Sequence, residues 1–226
     1  LKRKCKNPEV LVMVQVLVET LQSSMNPKHL ESTGPRVSAL VRTASECRWS
    51  DAVVELQVWC RLAALCYKIA DHSLVLCCTQ KALQLEEAAL KSLNTTPCLL
   101  FDPAAVNEML STAASLRGLS LVCESSGDPS IYREALKVLR SGVSFAEKAG
   151  NLDSCVTAAG HFWNSCLPLA KNPEERRQLK EPLEGILTAL AHTTRHGNVS
   201  DKSYSLTFIN KPTITSAYYQ LLHLWS

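Results

Sequence analysis

The segment that most constrains the fold is a short run in which large and small apolar residues recur at helical spacing. Trp59, Leu62, Ala63 and Cys66 stand at positions i, i+3, i+4 and i+7 of one another. Positions with this spacing lie on one face of an α-helix. A residue as small as Ala63 lets a second helix approach that face closely, while Trp59 offers a broad apolar surface beside it. The run therefore predicts a helix that packs tightly against another helix.

A second run downstream supplies the candidate partner helix. The segment Lys81-Ala82-Leu83-Gln84-Leu85 places another small residue, Ala82, among apolar ones. Together the two runs resemble the helix pair of a tetratricopeptide repeat, which reads W-x2-L-G-x2-Y in its first helix and A-x3-F in its second. Helix pairs of this kind stack side by side and present surfaces to partners. The resemblance implies a binding or scaffold module rather than an enzyme.

Two later segments repeat the layout of large, small and large residues: Val156, Ala159, Gly160 and Trp163, and, less closely, Ala114, Arg117, Gly118 and Leu121. The small residues are spaced more widely than the roughly 34 residues of a regular array, which indicates longer helices or wider loops. An unrelated α-bundle stays open as an alternative, since small residues also occur at its close crossings. The residues expected to pack the repeats together are Trp59, Leu62, Ala63, Cys66, Ala82, Gly118, Gly160 and Trp163.

Helix boundaries are marked by a recurring pair in which Asn or Asp precedes Pro: Asn7-Pro8, Asn26-Pro27, Asp102-Pro103, Asp128-Pro129 and Asn172-Pro173. The Asx side chain accepts the unpaired N–H groups of a helix start, and Pro suits the first turn. Gly127 and Gly150 stand where helices should end. The pattern predicts nine helices, at residues 8–24, 35–48, 51–70, 72–92, 103–125, 130–149, 152–169, 173–195 and 213–225.

The predicted fold is all-α, a TPR-like α-solenoid segment of stacked antiparallel helical hairpins. Residues 1–195 would form the repeat block, residues 196–212 a linker rich in Ser, Asn and Lys, and residues 213–226 the start of a further helix or repeat. Pro168 is expected to end or bend the helix that carries Trp163, and Pro182 to kink or restart the helix around it. Because Leu1 is not an initiator Met and the last residues are apolar, we expect a segment of a longer protein.

Composition excludes several classes of function. The net charge of +3 is too small to indicate nucleic-acid binding. The chain has no run of about 18 apolar residues, so we expect no membrane-spanning helix. The ten cysteines include no C-x2-C pair, the spacing typical of zinc sites. We expect free thiols that pack as small apolar residues in a reducing compartment.

The sequence gives only weak evidence for a catalytic or metal-binding site. His192 and His196 stand four residues apart, a spacing that can hold a metal, but the carboxylate of an H-E-x-x-H motif is missing and the end of a helix favours capping instead. Cys155, His161 and Cys166 lie on different faces of one helix, so packing is favoured over a zinc site or a nucleophile. Phosphate-loop, dinucleotide and nucleophile-elbow motifs do not occur. We therefore assign no catalytic, cofactor-binding or metal residue and expect no cofactor.

A basic amphipathic segment, residues 133–148, raises calmodulin as a further candidate partner. Its basic residues are Arg133, Lys137, Arg140 and Lys148, and they alternate with apolar ones. An internal repeat helix would show the same pattern with its apolar face in the core. Packing into the core is the favoured interpretation.

One stretch resembles a known family of proteins. Residues 161–169, HFWNSCLPL, together with 179–183, LKEPL, and 145–151, FAEKAGN, are similar to the large tetratricopeptide-repeat proteins of motile cilia, of the cilia- and flagella-associated type. The resemblance covers about residues 100–195. It implies a non-enzymatic structural role in a central-pair projection of the axoneme, within the cytoskeleton of the cilium. The implied partners are other axonemal scaffold proteins in a large hetero-complex, with no nucleic acid and no membrane.

Two alternatives are kept beside this hypothesis. A cytosolic tetratricopeptide adaptor would clamp a peptide carboxylate, but it needs Lys, Arg and Asn on the first-helix face, which here carries Trp59, Leu62, Ala63 and Cys66. The chain could also be a helical accessory domain of an enzyme whose catalytic part lies outside these residues.

Overall fold

The computed structural model describes residues 8–26, 34–95 and 101–196. These residues form nine α-helices and one short 3-10 helix, and none of them lies in a strand. The predicted all-α class is confirmed. In chain order the helices are α1 Pro8–Met25, α2 Gly34–Glu46, α3 Ala52–Lys68, α4 His72–Gln84, α5 Glu86–Thr95, α6 Pro103–Glu124, α7 Pro129–Ala149, α8 Leu152–Cys166, the 3-10 helix Leu169–Lys171, and α9 Pro173–His196.

The predicted helix at residues 72–92 is wrong in one respect, because it is two helices. At Leu85 the backbone N–H donates to the carbonyl oxygen of Ala82 at 3.1 Å, which closes α4 with a tight turn. Helix α5 then begins at Glu86. The predicted helix at residues 213–225 and the linker after His196 lie outside the described residues, whereas His196 itself belongs to α9.

The Asx–Pro pairs cap helices where the structure describes them. Oδ1 of Asp102 accepts a hydrogen bond from the N–H of Ala105 at 2.7 Å. Oδ1 of Asp128 accepts one from the N–H of Ser130 at 2.8 Å, and bonds from the Ser130 hydroxyl and N–H lower the pKa of that carboxyl. Oδ1 of Asn172 starts α9 in the same way. Asn7 and Pro27 lie outside the described residues.

Helix ends follow the glycines and one of the two prolines. Gly127 and Gly150 adopt φ values of 87° and 69°, the left-handed region that glycine reaches without strain, and each stands in a turn between helices. Helix α8 ends at Cys166, just before Pro168, as expected. Of the two effects expected at Pro182, a kink or a restart, the restart does not occur. Helix α9 runs as one element from Pro173 to His196 with Pro182 inside it.

The helices follow one another sideways. Hairpins form between α1 and α2, α3 and α4, α6 and α7, and α8 and α9, and the substantial contacts join helices no more than three places apart in chain order. One layer consists of α1, α3, α6 and α8, each in contact with the next. The short turns between α3 and α4 and between α6 and α7 make those two hairpins antiparallel. Continuation of this kind is typical of a helical-repeat array.

The core has two parts that meet at α6 and α7. The first is built from α1 to α6 and includes Phe145 of α7. The second is built from α7, α8 and α9. Helix α7 therefore contributes to both. Among the described residues, no helix is both long and apolar enough to cross a membrane.

Candidate functional site

The predicted crossing at Trp59 lies between α3 and α4. Trp59 is only 1% exposed, and Leu62, Ala63, Cys66 and Ala82 are fully buried. The indole Nε1 of Trp59 donates to the carboxylate of Glu55 at 3.0 Å, and the ammonium of Lys81 on α4 lies 5.1 Å from the ring centroid. This face is filled by α4, so it cannot receive a peptide.

The crossing of α6 and α7 is closer still. A Cβ added to Gly118 would stand 2.7 Å from Cδ2 of Leu139 and 3.1 Å from the carbonyl oxygen of Ala135. Such distances leave no space for a methyl group. Gly118 therefore sets how closely the two helices approach.

Sequence reasoning missed a second close contact at this crossing. The hydroxyl of Ser111 donates to the carbonyl oxygen of Gly142 at 2.8 Å, and a Cβ on Gly142 would stand 3.1 Å from Oγ of Ser115. The signal was present, since Ser111, Ser115 and Gly118 form a stripe of small residues at i, i+4 and i+7.

The expectation for α8 is wrong at Gly160, whereas Trp163 does pack against the second core. Gly160 is partly exposed, and a Cβ there would meet no atom within 4 Å, so it makes no close crossing. Trp163 is only partly buried, whereas its neighbour Phe162 is 1% exposed. The face that enters the core is one residue earlier than the predicted face and carries Cys155, Ala158, Ala159, Phe162 and Cys166.

Two glycine variants test these crossings. Gly118→Ala should lower the free energy of unfolding by roughly 1–3 kcal/mol, because the methyl group must displace Leu139 in a packed core. Gly160→Ala should raise it by about 0.5–1 kcal/mol, because alanine favours the helix and meets no neighbour. Urea denaturation followed by circular dichroism measures both. Equal effects of the two substitutions would contradict the crossing at Gly118.

The buried cysteines have the chemistry of packing groups. Burial raises the pKa of Cys60 to about 12 and that of Cys166 to about 11. A hydrogen bond with Cys66, followed by burial, raises the pKa of Cys78. Because the thiolate is the nucleophile and the metal ligand, thiols that stay protonated at neutral pH are poor in both roles.

The histidines of the sequence analysis do not converge on a site. Nδ1 of His192 lies 3.2 Å from a carboxylate oxygen of Glu147 on α7, while the side chain of His196 is outside the described part. Burial lowers the pKa of His161, so its imidazole is uncharged at neutral pH. Among the described residues, no group of three His, Cys, Asp or Glu side chains could hold a metal ion.

Helices α7 and α9 are linked along one face by two ion pairs and by a contact between a histidine and a carboxylate. Two of the four basic residues that suggested calmodulin, Arg133 and Arg140, take part in these pairs, and a third, Lys148, lies 3.8 Å from Glu86 of α5. The apolar residues of α7, such as Leu139 and Val143, lie in the core. The guanidinium of Arg140 donates two hydrogen bonds to the carboxylate of Glu181, and these lower the pKa of that carboxyl. This face of α7 is therefore not available to a calmodulin-like groove. The pairs are Arg133 with Glu175 at 3.2 Å, Arg140 with Glu181 at 2.6 Å, and His192 with Glu147 at 3.2 Å.

A shallow cleft of about 160 Å³ lies beside these pairs, between α7 and α9. Arg140 and Glu147 line it, and both already have partners. Its volume is smaller than the roughly 300 Å³ at which small-molecule sites begin.

Among the described residues, the exposed large apolar side chains are concentrated on α1, and the sequence reasoning did not identify this surface. Seven large apolar side chains of this helix are between 42% and 86% exposed. Apart from them, Leu167 is the one other large apolar residue with comparable exposure in the described part. We name this surface the α1 stripe. Its residues are Val10, Leu11, Val14, Leu17, Val18, Leu21 and Met25.

The comparisons with known proteins do not assign the chain to a family. No protein-family model matches it, and no solved structure matches it significantly.

Proposed function

We propose that this chain is a non-enzymatic scaffold segment of the motile-cilium axoneme, within a projection of the central-pair apparatus. The proposal rests on the resemblance of residues 145–151, 161–169 and 179–183 to large ciliary tetratricopeptide-repeat proteins. It is supported by the lateral succession of hairpins, since arrays of this type act by presenting extended surfaces to other proteins.

The single structural observation that carries the proposal is that the polar and charged side chains described above contact other helices and form no reactive site. Arg133, Arg140 and His192 link α7 to α9, and Lys81 covers Trp59. The buried thiols have raised pKa values. A module of this composition recognises partners through the surfaces of its helices. We expect those partners to be other axonemal scaffold proteins, bound through many modest contacts in a large assembly.

The proposal is tested by following the tagged full-length protein that contains this chain in ciliated cells. After detergent extraction we expect it in the axonemal fraction, between the central microtubules and the surrounding ring. Its removal should leave cilia with altered beating and a missing density on the central pair. Gly160→Ala is the matched control that keeps the fold and should stay in the axoneme, whereas the destabilised Trp59→Ala should be lost from it.

A protein found wholly in the soluble fraction, bound to a chaperone or to a free peptide, would contradict the scaffold proposal and favour the cytosolic adaptor. The burial of the Trp59 face argues against a carboxylate clamp there, because that face carries no exposed cation or amide. A hydrolytic or transfer activity in the protein that contains the chain would favour the accessory-domain alternative instead.

A further inference from the structure

The α1 stripe is a second apolar face on a helix whose first face is already in the core. Val12 and Val16 are buried against the neighbouring helices, at 1% and 0% exposure. At about 100° per residue, the stripe is centred on the opposite side of the helix. A helix that is apolar on both sides is expected to be covered on both sides.

The spacing of the stripe suits a helix as its cover. Val10, Val14, Leu17 and Leu21 follow one another at intervals of four, three and four residues. This is the spacing of the a and d positions of a coiled coil, in which side chains of one helix fit between those of another. Leu11, Val18 and Met25 stand beside this seam at intervals of seven.

The stripe carries no charge. The two charged residues of α1 are Glu9 and Glu19. The carboxylate of Glu9 accepts hydrogen bonds from the N–H and the hydroxyl of Ser50, at 3.0 and 2.8 Å, and Glu19 is buried on the core side. The residues that flank the stripe, such as Gln15 and Gln22, are neutral.

We infer that the α1 stripe is the contact of a symmetric dimer, in which it packs antiparallel against the α1 stripe of a second copy of this chain. A two-fold contact brings each surface against itself, so a charged face would repel its own copy, whereas this one is neutral. Antiparallel helices also align their dipoles favourably. The inference does not depend on the proposed ciliary role.

The size of the stripe agrees with a weak but specific dimer. Seven half-exposed side chains on each of two copies remove on the order of 1,000 Å² from water, which is the lower bound for a specific interface. We therefore expect a dissociation constant in the micromolar range, roughly 1–100 µM. The dimer should then populate at concentrations that sedimentation can reach.

Sedimentation equilibrium of the full chain over about 1–500 µM tests the inference. The wild type should form a discrete dimer. Leu17→Glu, which places two carboxylates close together near the middle of the seam, should weaken it at least about 100-fold. Leu167→Glu, a similarly exposed leucine far along the chain, should leave it unchanged. Circular dichroism checks that the three proteins are equally helical.

A wild type that is monomeric at the highest concentration overturns the inference. This holds whether the stripe is covered by another part of the chain, such as residues 213–226, or by nothing. Open-ended aggregation, or a dimer that Leu17→Glu does not weaken, overturns it as well.

The antiparallel arrangement has its own test by disulfide cross-linking, in a background with the exposed Cys77 and Cys123 replaced by serine. Leu17→Cys, near the two-fold axis, should link two copies on oxidation. Val10→Cys, at the end of the seam, should not link to itself. Equal cross-linking at both positions would overturn the antiparallel pairing.

Discussion

Trp59→Ala should lower the free energy of unfolding by about 3–5 kcal/mol, the usual cost of removing a buried tryptophan. The indole is 1% exposed at the α3–α4 crossing, so its truncation leaves a cavity in the first core. It also removes the hydrogen bond to Glu55 and the contact with Lys81. Since whole domains are stable by only about 5–15 kcal/mol, the loss is a large fraction of the total. Urea denaturation followed by far-ultraviolet circular dichroism measures it.

Two variants separate the contributions at this crossing. Lys81→Met keeps most of the side-chain bulk but removes the cation over the ring, and it should cost about 0.5–1 kcal/mol. Trp59→Phe keeps the apolar ring but not the indole N–H, so its cost should fall between the other two. If Trp59→Ala costs less than about 1 kcal/mol, Trp59 does not hold α3 and α4 together.

Phe162→Ala should also cost about 3–5 kcal/mol, whereas Trp163→Ala should cost much less, although tryptophan is the larger residue. Phe162 is 1% exposed in the second core, between α7 and α9, while Trp163 is only partly buried at its edge. The cost of truncation follows the apolar surface that is buried, not the size of the side chain. Chemical denaturation of the two alanine variants, side by side with the wild type, measures the difference.

The comparison is informative because the two residues are adjacent and the sequence pattern predicted Trp163, not Phe162, as the packing residue. If Trp163→Ala proves the more destabilising, the face of α8 that was predicted from the small residue at 160 is correct, and the packing described here at Phe162 is not.

The parts of the fold that depend on local chemistry could be predicted from the sequence. Asp102, Asp128 and Asn172 cap helices because their side chains bond N–H groups only two or three residues away. Gly150 ends α7 because its positive φ suits glycine. Such features need no knowledge of distant neighbours. The all-α class follows from them and from the helical spacing of the apolar residues.

The parts that depend on neighbouring helices could not be fixed in advance. Ala158, Ala159 and Gly160 are three successive small residues, so the pattern alone allowed either of two faces of α8 to enter the core. The break at Leu85 has no Gly or Pro to announce it. Pro182 was expected to kink or restart the helix around it, but α9 does not restart there and runs from Pro173 to His196.

The candidate surfaces also divide into one that local sequence predicts and one that depends on neighbouring helices. The packing of Trp59, Ala63 and Ala82 lies within one hairpin, and the sequence identified them as a group. The exposure of the α1 stripe depends on what packs on each side of α1, which no local pattern records. Its heptad spacing was nevertheless present in the sequence, and a helix with two apolar faces is a signal that could have been found.

The central claim is that the helices stack sideways, so that each depends mainly on its neighbours. Hydrogen–deuterium exchange of Phe162→Ala against the wild type, analysed by mass spectrometry peptide by peptide, tests it most directly. We expect faster exchange in α7, α8 and α9, with the protection of α3 and α4 largely retained, because the two parts of the core meet only at α6 and α7. An equal loss of protection from α1 to α9 would show a single cooperative hub and would contradict the array.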